Sequence, residues 1–190
     1  MRRKTYDLLF DTSAGMAVIT RQSSLWRSYF YFSINIGLFT GVITNTWLLH
    51  MPLEVRFAII LATLVILGTF LNLYGFLIHG LLETYGAVQG DSKALICLLG
   101  YTTTPFLLLT PVALLAGKMG IEGLPLLLGA VLVGFVWMMY LLIRSLEAIY
   151  LLDGLRATAT VMLSILLLYV AFIFPWQVIY HLGIRALTGM

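Results

Sequence analysis

Between Arg56 and His79 the chain reads FAIILATLVILGTFLNLYGFLI, without one charged residue. A hydrocarbon core about 30 Å thick takes roughly 20 helical residues to cross. Other segments share this character, and five spans are expected, at residues 29–49, 55–79, 94–116, 124–143 and 158–182. The 61% hydrophobic content, 10% charge and mean hydropathy of +1.01 lie outside the soluble range. Lipid offers no partner for an open backbone, so each span must satisfy its own N–H and C=O groups. The pattern predicts an all-α, polytopic bundle of five transmembrane helices.

The connections are short, and two carry clear breaks, Met51-Pro52 and Gly117-Lys118-Met119-Gly120. Consecutive spans are therefore expected to form antiparallel hairpins. Lys and Arg are retained preferentially in cytoplasmic loops. With a cytoplasmic N-terminus, that side holds eight of them (Arg2, Arg3, Lys4, Arg21, Arg27, Lys93, Arg144 and Arg156) and the other side three, Arg56, Lys118 and Arg185. This favours the N-terminus inside and the C-terminus outside. Trp26, Tyr29 and Tyr31 at one interface, and Trp47, Trp176 and Tyr180 at the other, fit aromatic belts.

Residues 1–28 are read as a basic segment preceding the transmembrane domain at 29–190. Ala14, Ala17, Val18, Leu25 and Trp26 recur near helical spacing beside Arg21 and Arg27, which predicts a helix lying on the inner membrane surface. An irregular basic tail is the alternative. Asp7 and Asp11 bracket Leu8, Leu9 and Phe10, so no cleavable signal peptide is expected. The net charge of +3 and pI near 9.1 trace to these dispersed cations, without the long basic tract that nucleic acid would call for. The single cysteine, Cys97, excludes an intrachain disulfide and a cysteine metal cage.

Small and polar residues within spans usually face other helices. Gly37 and Gly41 form a GxxxG spacing in the first span, beside Thr44 and Asn45. In the second, Gly68, Asn72, Gly75, His79 and Glu83 advance by four, three, four and four, which keeps them on one helical face. Asn72 is the deepest amide of that stripe, and the first or third span is expected to supply its hydrogen bonds. The third span reads GYTTTPFLLLTP, and Pro105 and Pro111 predict a kinked or broken helix. Broken helices mark substrate sites in some transporters, whereas prolines also serve packing alone.

His79 and Glu83, with Asp91 across the next loop, are the one titratable constellation suggesting chemistry. An i, i+4 His–Glu pair can share a hydrogen bond, hold a metal weakly or pass a proton. His50 and His181 fall at the opposite membrane face and cannot complete a metal site, so neither metal nor cofactor is expected. HExxH, a nucleophile elbow and a phosphate-binding glycine loop are all lacking, and the chain is not expected to be an enzyme. The competing reading is that His79 and Glu83 mark where the second span emerges into water. Arg144 with Glu147, and Asp153 with Arg156, are expected as surface ion pairs.

The segments IHGLL, AVQGDSKALICLLGYTTTP and RSLEAIYLLDGLRATATVML stand in an order that resembles the Yip domain family of Ypt/Rab-interacting membrane proteins. His79, Gly80, Gly90, Tyr101 and Pro105 stand at that family's landmarks, and Leu155 and Ala157 fit its turn into the last helix. The resemblance implies five transmembrane helices, a cytoplasmic N-terminus and no catalytic residues. This chain lacks the long hydrophilic N-terminal region of eukaryotic members, which puts binding of Rab-type GTPases in doubt. It looks like a minimal form from a prokaryotic plasma (inner) membrane. Two function classes follow. One is a non-enzymatic interaction or scaffold subunit for membrane proteins or lipids, working in the bilayer with other subunits or as a homo-oligomer. The other is a small transporter or channel with a polar path or ligand site along helices 2 and 3, made of Asn72, His79, Glu83, Thr103 and Thr104.

Overall fold

The computed structural model describes residues 24–86, 90–174 and 177, and the regular structure among them is entirely helical. In chain order the helices are α1 (Leu25–Trp47), α2 (Leu53–Thr84), α3 (Ser92–Thr102), α4 (Thr104–Lys118), a 3₁₀ turn (Gly120–Gly123), α5 (Leu124–Tyr150) and α6 (Gly154–Leu168). A π-helical turn, Tyr169–Ile173, extends α6. Of the surface helix expected within 1–28, residues 1–23 lie outside the described residues, as do Trp176, Tyr180 and His181, whereas Leu25, Trp26 and Arg27 open α1.

Local chemistry sets the helix starts. The Asp91 carboxylate accepts from the Lys93 backbone N–H at 2.9 Å and caps α3. Asp153 does the same for α6 through the Arg156 N–H at 3.1 Å. The turn between α5 and α6 passes through Leu151 at φ 53°, a left-handed conformation rare for leucine. Several helices overrun the expected spans: α1 begins at Leu25, α2 continues to Thr84 and α5 to Tyr150.

Four helical stretches are long and apolar enough to cross a membrane: Leu53–Thr84, Ser92–Lys118, Gly120–Tyr150 and Gly154–Ala171. The sequence predicts five. The difference lies in α1, whose 23 residues would reach about 34 Å but include Ser28, Ser33, Asn35, Thr40, Thr44, Asn45 and Thr46. Those groups face protein where they are buried, as at Ser28, Asn35 and Thr44.

Helices α1 and α2 run antiparallel in a regular register. Tyr29 meets Asn72, Phe32 meets Gly68, Gly37 meets Leu64, Gly41 meets Ile60 and Asn45 meets Arg56. A Cβ on Gly37 or Gly41 would sit 3.7 or 3.8 Å from the facing leucine or isoleucine, ordinary contact distance. The GxxxG face of α1 is thus turned to α2 of the same chain.

The span Ser92–Lys118 is divided at Thr103, with Pro105 in the first turn of α4. Pro105 has no N–H for the Tyr101 carbonyl. The Thr104 hydroxyl donates to that carbonyl at 2.6 Å, while Thr103 serves Gly100 and Thr102 serves Leu99, both at 2.7 Å. Three consecutive threonines therefore cover the carbonyls beside the break. Pro111 lies inside α4, which continues through it.

The core is weighted toward one end. Ile78 and Leu82 of α2, Leu95 and Leu98 of α3, Leu141, Leu142 and Leu146 of α5, and Val161 of α6 are almost fully buried there. A smaller cluster of Phe39, Ala113, Ala116 and Leu127 fills the other end. Outside this core, Phe57, Leu61, Val65, Ile66, Phe70, Leu73 and Phe76 lie exposed along α2. Such a face is costly in water and at home in lipid tails.

Candidate functional site

The last turns of α2, the start of α3, the end of α5 and the start of α6 meet at the end of the bundle where the larger core lies. There His79 Nδ1 lies 2.6 Å from the Tyr150 hydroxyl, and His79 Nε2 lies 3.1 Å from Glu83 Oε1. One neutral tautomer satisfies both contacts: Tyr150 O–H donates to Nδ1, and Nε2–H donates to the Glu83 carboxylate. The histidine side chain is 19% exposed and the glutamate 60%, so the imidazole sits beneath a carboxylate that faces outward.

The backbone at Gly90 brings the loop against this array. A Cβ there would lie 1.9 to 2.5 Å from atoms of the Tyr150 ring, so the tyrosine takes the space a side chain would need. Asp91, the third expected member, is occupied as the cap of α3. His50 lies at the far end, after α1. Among the described residues no three His, Cys, Asp or Glu side chains are grouped to hold a metal ion.

Deeper in α2, Tyr29 of α1 donates a hydrogen bond to Asn72 Oδ1, and Asn72 Nδ2 donates to the Gly68 carbonyl at 2.7 Å. The first span is thus the source of the bond expected at Asn72. A Cβ at Gly75 would lie 2.9 Å from Ile96 Cγ1 and 3.0 Å from Leu99 Cδ1, which puts this glycine tight against α3. Below it, Ser164 of α6 donates to the Tyr74 hydroxyl at 2.9 Å.

At the helix break, Thr103 Oγ1 accepts from Asn35 Nδ2 at 3.1 Å while donating to Gly100. Asn35, on α1, is 1% exposed. Helix α1 also meets α3 at Ser28, whose hydroxyl donates to the Cys97 carbonyl at 2.7 Å. Helix α3 accommodates this with Gly100.

The five residues expected along a polar path are therefore distributed over three places. His79 and Glu83 stand at the core-rich end, whereas Thr103 and Thr104 belong to the break between α3 and α4, and Asn72 lies on the α1–α2 seam. Sequence reasoning left out Tyr29, Ser28, Asn35 and Tyr150 as partners. For Asn35 a signal existed: a buried amide in an apolar span requires a partner, as at Asn72.

Charged side chains at the core-rich end pair locally. Arg144 Nη1 donates to Glu147 Oε2 at 2.7 Å, and its guanidinium lies 5.5 Å from the centre of the Tyr140 ring. Arg156 Nε is 3.8 Å from Asp153 Oδ1. Both are the ion pairs expected from spacing.

No curated protein and no solved structure matches the chain. A family model does: the one described as the Yip1 domain matches residues 6–174.

Proposed function

The chain belongs to the Yip1 domain family, and from that premise we propose that it is a non-enzymatic interaction or scaffold subunit serving other membrane proteins or lipids. The observation that carries this reading is the use to which the intramembrane polar groups are put. Asn72 bonds Tyr29, Gly75 seats Ile96 and Leu99, His79 bonds Tyr150, and Thr103 and Thr104 hold carbonyls of their own chain. Four of the five groups expected to line a path instead join helices or close a helix break, and the fifth, Glu83, pairs with His79 on its own helix. Interhelical hydrogen bonds and small-residue contacts are the usual means of holding such bundles together.

In this reading α1 is the fifth span, because it pairs with the apolar helix α2 from Tyr29 to Asn45. The end carrying Arg27, Lys93, Arg144 and Arg156 faces the cytoplasm, while Arg56 and Lys118 stand at the other. That orientation puts the N-terminus inside and the C-terminus outside a prokaryotic plasma membrane, with 1–28 as the basic segment and 29–190 as the membrane domain. Partners are further membrane subunits or copies of the same chain, and Rab-type GTPase binding is not part of the proposal.

The rival reading, a small transporter or channel, requires Glu83 to face the permeating ion. Vesicles reconstituted with the protein are expected to show no proton or monovalent cation flux above empty vesicles, and Glu83→Gln to behave as wild type. A flux that appears with the wild type and falls in Glu83→Gln would replace the scaffold with the transporter.

A further inference from the structure

A cleft of about 700 Å³ opens between the last turn of α2 and the first turns of α6, beside the Tyr150 ring. This is within the size range of ligand sites. Its walls include Leu82, Tyr85, Tyr150, Ala159 and Leu163, with Arg156 as the one charged residue lining it among the described residues. The geometry points to this cleft as a binding site for an anionic membrane phospholipid, its phosphate held by Arg156 and its acyl chain laid along Ala159 and Leu163. The inference rests on the scaffold reading and deepens it by naming a lipid class.

The charges nearby select the occupant. Among the described residues the carboxylates at this end are already engaged: Glu83 with His79, Glu147 with Arg144, Asp91 with the Lys93 N–H and Asp153 with the Arg156 N–H. The Arg156 guanidinium makes no hydrogen bond among the described residues, and its nearest carboxylate is the Asp153 oxygen at 3.8 Å. The pair is open, with side chains 78% and 65% exposed. A guanidinium offers a planar fork that matches phosphate oxygens bidentately. Its setting fits lipid rather than a soluble anion. Arg156 lies in the first turn of α6, where the apolar stretch Gly154–Ala171 begins, and the same helix face continues through Ala159 and Leu163. Basic pockets between transmembrane helices on the cytoplasmic side recognise anionic headgroups in this way.

The test is native mass spectrometry of the full chain in detergent, with phosphatidylglycerol and phosphatidylcholine added in equal amounts. The wild type is expected to retain phosphatidylglycerol preferentially. Arg156→Gln should weaken that retention by about fivefold, and Arg156→Lys should keep the preference. Ala159→Trp, placed at an exposed helix position, should fill the cleft and reduce retention of both lipids. Arg156 and Ala159 both lie outside the core, and thermal melts verify that the variants fold. Equal retention of the two lipids by the wild type overturns the assignment. So does unchanged phosphatidylglycerol retention in either Arg156→Gln or Ala159→Trp, the pattern of a cleft covered by another segment or protein. The vesicle flux assay is independent of these results, so failure of the lipid site is distinguishable from failure of the scaffold reading.

Discussion

Replacing Gly100 by alanine is expected to force α1 and α3 apart and to lower the melting temperature of the detergent-solubilised protein by about 5–10 °C. The added Cβ would stand 2.1 Å from Ser28 Oγ and 2.8 Å from the Ser28 carbonyl oxygen. The hydroxyl can rotate away; the carbonyl moves only with its helix. Overpacking of this kind costs about 1–3 kcal/mol. Displacing Ser28 also loses its hydrogen bond to the Cys97 carbonyl, and such bonds in membrane proteins average about 0.6 kcal/mol with values up to ~1.7. Differential scanning fluorimetry reads the shift. Melting at the wild-type temperature would mean that α1 and α3 do not approach this closely. Gly37→Ala is the internal control, since its Cβ would reach only contact distance from Leu64.

Thr103→Val is expected to be the next most damaging change, although valine has nearly the shape of threonine. Thr103 Oγ1 serves two buried groups, the Asn35 amide at 3.1 Å and the Gly100 carbonyl at 2.7 Å. Without the hydroxyl both lose their partner, and neither has water to turn to in the bundle interior. Two lost bonds of the strength measured in membrane bundles amount to about 1–3 kcal/mol. Thr103→Ser keeps the oxygen and should stay near wild type. Adding Asn35→Leu to Thr103→Val should recover part of the loss, because the stranded amide is then removed. If Thr103→Val and Thr103→Ser melt together, the hydroxyl has no structural role at the break.

The helical class and the membrane setting were legible because both follow from a one-dimensional pattern: long apolar runs, short connections and Lys and Arg collected at one end. Asn72 was legible in a stronger sense, since an amide deep in an apolar span has to bond a neighbouring helix, and α1 provides Tyr29. Which residue would provide the bond was not legible. Periodicity states that a face is buried without stating what covers it, and Tyr150 meets His79 across 71 positions of sequence. The spacing of Gly37 and Gly41 likewise marked a packing face, but its cover, Leu64 and Ile60, lies in a stretch of α2, from Phe57 to Leu67, whose one polar residue is Thr63.

The third span shows a different limit. Two prolines announced disturbance, yet the helix divides at Thr103 and continues through Pro111. Proline removes a donor wherever it stands, and the local supply of alternative donors differs. At Pro105 three threonine hydroxyls cover adjacent carbonyls and allow the chain to step from α3 to α4. Helix α1 was legible in place, beginning four residues before the expected span, but not in its surroundings, since Ser28, Asn35 and Thr44 are turned inward.

The account rests on the intramembrane polar groups acting between helices, and a double-mutant cycle at Tyr29 and Asn72 tests that most directly. Tyr29→Phe, Asn72→Leu and the double variant would be unfolded reversibly in mixed micelles and their stabilities compared with wild type. The predicted coupling is about 0.6–1.7 kcal/mol, from the average to the largest value for interhelical hydrogen bonds in a bilayer protein. Additive losses would contradict the account: Tyr29 and Asn72 would then act independently, and the polar stripe of α2 would not be what joins it to α1.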